Sequence, residues 1–209
     1  MGFGMLLIGY FIANMMALNL LGGIFRVGGY LLVLFAAKKL SQYDRSFISL
    51  MICSIAMIAV SGVGAFSDIS AFLYKYALIS SPIIAQSVVD IFTAIRMFLD
   101  LVFTALLCYS VKSIAKDTGA TKIVFSAVRN FIFFCVYFVL QLLVWISHLS
   151  GNTAFIGFVT SAAIPVWMIL INILCMILIC WMLFSCYSGI CDSNSVGQGL
   201  DSSDLEIKK

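Results

Sequence analysis

Long apolar stretches broken by short polar ones divide this chain into six segments, roughly 3–20, 24–40, 47–66, 83–111, 123–147 and 155–187. The runs are apolar on all sides rather than alternating residue by residue, which predicts helices and argues against the strands of a barrel. Runs of about 20 apolar residues match the roughly 30 Å hydrocarbon core of a bilayer, where only helices and closed barrels satisfy their own backbone polar groups. The expected fold is all-α, a polytopic bundle of about six transmembrane helices. The first two segments are separated only by Leu20, Leu21, Gly22 and Gly23, and their joint length predicts a helical hairpin.

Composition sharpens this picture. Of 209 residues, 63% are hydrophobic and only 10% charged, outside the range of soluble globular proteins. The bilayer is therefore the expected partner, in a plasma or cytoplasmic membrane, and nucleic acid is not. Two connections are basic, one with Lys38, Lys39 and Arg45 and the other with Lys112, Lys116 and Lys122, and the positive-inside rule turns both toward the cytoplasm. Six spans satisfy that rule with both termini on the same side, an N-in/C-in topology, whereas five would put the two connections on opposite faces. No basic residue precedes the first apolar run, so no cleavable signal peptide is expected. The segment 67–82, with Phe72, Tyr74, Lys75 and Tyr76, reads as an interfacial piece with aromatics at headgroup level. From Ser188 onward Gly, Ser, Asn and Asp dominate, which predicts a transmembrane domain over 1–187 and a disordered cytoplasmic tail over 188–209.

The charges inside the spans carry the chemistry. The fourth segment contains Asp90, Arg96 and Asp100, and each ionised group costs about 2.5–3.5 kcal/mol at the centre of a spanning helix on insertion scales. At about 100° per residue the three lie within an arc of roughly 120°, which Thr93, Met97 and Thr104 share. Arg96 and Asp100, one turn apart, are expected to pair. Asp90 lies about 9 Å further along the axis, and Arg26 on the second segment is its expected charge partner by depth. On the fifth segment Asn130, Tyr137 and Gln141 form a narrow stripe, and on the sixth Asn172 belongs to a small, polar or soft seam with Cys175 and Met182. The expected solute path or ion network is thus Asp90, Arg96, Asp100, Asn130, Gln141 and Asn172. Membrane helices also use Asn, Gln and small residues as interhelical glue, typically for about 0.6 kcal/mol each.

Enzyme chemistry finds little to stand on. His148 is the single histidine, so a multi-histidine metal site is absent, and no G-x-S-x-G or glycine-rich phosphate loop occurs. The seven cysteines include no C-x-x-C pair. No catalytic residues, metal or cofactor are expected.

On the first segment Gly9, Ala13 and Ala17 recur every four residues, a seam that lets another backbone approach closely, either a neighbouring helix of this chain or, on the sharper reading, another membrane subunit. In size, span count and this seam the chain resembles the substrate-binding subunits of energy-coupling-factor vitamin transporters. The run from Gly9 to Ala17 is similar to the alanine seam by which those subunits dock on a partner. The resemblance implies a docking test and assigns no further residues. The sequence thus leads to a multi-pass membrane protein that binds or transports a small solute or ion along a polar path between helices. The alternative is a non-catalytic interaction, assembly or sensing subunit, whose partner is another membrane subunit or a second copy of the chain.

Overall fold

The computed structural model describes residues 2–15, 22–76, 86–150 and 163–200, with side chains over 2–15, 22–76, 88–146 and 166–189. These residues form six α-helices: α1 (Gly2–Met15), α2 (Gly22–Leu40), α3 (Ser46–Lys75), α4 (Gln86–Asp117), α5 (Thr121–Ser150) and α6 (Ala163–Leu200). No strand occurs among the described residues. The fold is a helical bundle, and α3 to α6 are each long and apolar enough to cross a membrane. The other two are weaker spans on the same criteria. The 14 residues of α1 rise only about 21 Å, and α2 sets Arg26, Lys38 and Lys39 within its 19 residues.

Each helix packs on its neighbours in the chain, and α6 packs on both α5 and α1, closing a ring, with a smaller contact between α4 and α6. The turns over 41–45 and 118–120 are short enough to force antiparallel neighbours, and Gly119 takes φ 72°, a left-handed conformation that glycine adopts without penalty. One end of the bundle brings Gly2 against Leu40, Gly4 against Tyr187 and Gly189 against Ile123. The other brings Gly23 against Ala65 and Asp68. Both basic connections lie at the first end, and Lys38, Lys39 and Lys116 fall in the last turns of α2 and α4, where cations complement the helix dipole.

The core explains why the helices need no amphipathic stripe. Leu6, Val33, Leu50, Met57, Leu107, Val111, Ile179 and Leu183 are buried in one cluster, while large apolar side chains such as Ile52, Phe125, Ile132, Trp167 and Trp181 stand exposed on the outside. An apolar exterior of this kind fits lipid as solvent.

The seam on α1 is occupied from within the chain. A Cβ added at Gly9 would lie 2.8 Å from the Gly29 carbonyl oxygen and 2.9 Å from the Val33 nitrogen, and one added at Gly29 would meet the Ala13 backbone. Gly9 and Ala13 therefore serve the close approach of α1 to α2, as small residues do where membrane helices touch. This is the intrachain packing that such a seam offers. Ala17 lies outside the described residues.

Two boundaries also differ from expectation. α3 runs unbroken to Lys75, so the first half of the expected interfacial segment continues a span. α6 is described to Leu200, beyond position 187, where the expected transmembrane domain ends. Residues 201–209 lie outside the described part.

Candidate functional site: two polar cavities joined by a pair of arginines

Asp100 sits 14 residues into the 32-residue α4, about 21 Å from the helix start and so near its middle. Its carboxylate accepts a hydrogen bond from the Tyr30 hydroxyl on α2 at 3.2 Å. Tyr30 packs edge-on against Phe103, with ring centroids 5.3 Å apart, and Tyr10 of α1 stacks on the same ring at 6.5 Å. Three helices are thus fastened around one aromatic side chain. Next to this cluster is a cavity of about 80 Å³ whose polar lining comes from Tyr10, Asn14, Arg26, Tyr30, Arg96, Asp100, Thr104, Tyr137, Gln141 and Asn172. Five of the six helices contribute, and only α3 is missing.

A second cavity, of about 170 Å³, lies between α2, α3 and α4 and is lined by Gly22, Gly23, Arg26, Ser61, Ser67, Asp68, Thr93 and Arg96, among others. Arg26 and Arg96 belong to both linings, so the two guanidinium groups stand where the cavities adjoin. Asp68 accepts a hydrogen bond from the Gly23 backbone N–H at 2.9 Å, placing a carboxylate at the positive end of the α2 dipole. The Thr93 hydroxyl is turned back to the Val89 carbonyl at 2.8 Å, and the Asn14 amide to the Tyr10 carbonyl at 2.9 Å. The Ser61 hydroxyl and Arg96 Nε are buried with no hydrogen-bond partner.

The residues singled out in the sequence divide into three groups. Arg96, Asp100, Gln141 and Asn172 come together around the inner cavity. Arg26 joins them there, since α2 lies beside the part of α4 that carries Asp100. Asp90 is exposed and lines neither cavity. Asn130 also stands apart: it is buried and donates from Nδ2 to the Leu178 carbonyl at 2.8 Å, an interhelical fastening between α5 and α6. The side chain of His148 lies outside the described ones.

Tyr10, Tyr30, Ser61 and Asp68 were missed. Tyr30 falls one turn after Arg26 on the same face of α2, a spacing that was available in the sequence. Among the described residues no group of acidic, histidine or cysteine side chains is arranged to hold a metal ion. Comparison with protein-family models, with curated proteins and with solved structures finds no match for the chain.

Proposed function

We propose that this is a multi-pass membrane protein that binds a small polar solute inside the helix ring and passes it along a path through both cavities. The observation that carries the reading is the shared lining: Arg26 and Arg96 border an inner cavity built by five helices and an outer one walled by α3. A purely adhesive role for these side chains would leave them bonded across helix contacts, as Asn130 is. Instead Gln141 and Asn172 face a cavity large enough for several waters, at roughly 10–15 Å³ of such volume for each. The basic connections then face the cytoplasm, with both termini on that side. No catalytic step is invoked. Docking to another membrane subunit loses its main argument, because the α1 seam packs against α2.

A panel of small solutes, scored by thermal stabilisation of the detergent-purified protein, tests this reading. Stabilisation by at least one class, weakened in Gln141→Leu and Asn172→Leu, supports it. Equal responses of those variants and the wild-type protein to every stabilising solute contradict it.

A further inference from the structure

We infer that the outer cavity is a binding site for a small carboxylate, with Arg26 and Arg96 as its cationic clamp and the Ser61 hydroxyl as an added donor. This rests on the reading of the two cavities as a solute path and names the class of solute that the path takes.

The argument begins with unmet donors. Ser61 is only 2% exposed and its hydroxyl has no partner, and Arg96 Nε is buried in the same condition. Both residues line this cavity. Buried polar groups are nearly always hydrogen-bonded, so two orphaned donors, one from α3 and one from α4, in the lining of one cavity call for an acceptor there. Neither nearby carboxylate hydrogen-bonds into this space: Asp68 accepts from the Gly23 N–H, and Asp100, which lines only the inner cavity and faces both arginines there, accepts from Tyr30. Neither hydrogen bond reaches an arginine.

Charge favours the same occupant. The lining of the outer cavity holds two arginines against one aspartate, a formal surplus of one positive charge. Arg26 lies in the fields of Arg96, Asp100 and Asp68, so the two cations share Asp100 on the inner side, and an anion in the outer cavity would supply the counter-charge on the other. A guanidinium presents N–H donors in a planar fork that matches a carboxylate bidentately, and two forks from different helices would fix the group between α2 and α4. The volume of about 170 Å³ accommodates a small carboxylate.

The test uses acetate, its uncharged isostere acetamide and ethylammonium as probes, at constant ionic strength balanced with chloride. Thermal unfolding is followed for the full chain in detergent. Acetate is expected to raise the midpoint saturably, with acetamide and ethylammonium inert. Apparent acetate affinity is expected to fall roughly tenfold or more in Arg96→Gln, by a similar factor in Arg26→Gln, and severalfold in Ser61→Ala, which alters no charge. Arg96→Lys keeps the charge and loses the fork, so its affinity falls between wild type and Arg96→Gln. An acetate effect no larger than that of chloride overturns the assignment, as does an unchanged response in Ser61→Ala together with either arginine variant. Stabilisation by acetamide or ethylammonium without acetate overturns the carboxylate site while leaving a solute path in place, so the two failures are distinguishable.

Discussion

The Tyr30 hydroxyl donates to Asp100 Oδ1 at 3.2 Å, joining α2 to α4 across 70 residues of sequence. This bond ties a carboxylate deep in the bundle to the aromatic cluster around Phe103, on the same side chain that lies in the field of Arg96 one turn away. Removing the hydroxyl in Tyr30→Phe leaves the carboxylate short of a donor. An orphaned buried group costs about 1–3 kcal/mol, and that loss is expected in reversible unfolding from mixed micelles. The double variant Tyr30→Phe/Asp100→Asn should lose less than the sum of the two single changes.

Close approach of α1 and α2 predicts a sharp contrast between adjacent glycines. A methyl at Gly29 meets the Ala13 backbone, whereas one at Gly28 meets nothing within 4 Å. Gly29→Ala is expected to destabilise by about 1–3 kcal/mol or more, the range of overpacked cores. Gly28→Ala should be neutral or gain up to about 1 kcal/mol from helix propensity. Unfolding of both variants under the same conditions checks the pair.

Asn130 and Gln141 lie on one stripe of α5 and separate by role. Asn130→Ala removes the bond to the Leu178 carbonyl and should cost about 0.6 kcal/mol, up to 1–2, of stability. It should leave solute response unchanged. Gln141→Leu should do the reverse, with little loss of stability and a weakened response. Parallel unfolding and solute titrations of the two variants decide the matter.

Outside the spans, Asp44 in the turn between α2 and α3 predicts a pH effect. Burial pushes its carboxyl up, but the nearby Ser113 side chain and the Ser46 backbone N–H, which donates to Oδ1 at 2.8 Å, outweigh that and hold it below the ordinary carboxylate range. A folded-state value below the unfolded one means that the contribution is complete above the unfolded value of about 3.9 and is lost as pH falls through the folded value. Stability of the wild-type protein should therefore decline on acidification below about pH 4 more steeply than that of Asp44→Asn.

Much of the architecture was legible because apolar run length is a physical requirement of the bilayer. The six helices, the short basic turns and the place of Arg96 and Asp100 on one face all follow from spacing along a single helix. What the spacing could not give was the lateral neighbour. Asp90 shares an arc with Asp100, yet only Asp100 lies where α2 brings Tyr30 and Arg26 alongside. Asn130 shares a stripe with Gln141, but its level on α5 falls against the α6 backbone instead of the cavity. Ser61 and Asp68 were hidden for a different reason. A serine in an apolar helix has no distinguishing pattern, and ending the third span at 66 left Asp68 in an expected interfacial piece, although α3 carries it against the start of α2.

Whether the inner cavity admits solute is read out by cysteine accessibility. Gln141→Cys and Asn172→Cys would be built, singly, in a background with the native cysteines replaced, alongside Asn130→Cys as the packed control. Each would be exposed to a small charged methanethiosulfonate reagent in native membranes. The account predicts rapid modification at 141 and 172 and none at 130. Equal inertness at all three positions would contradict it and leave these polar faces as helix packing alone.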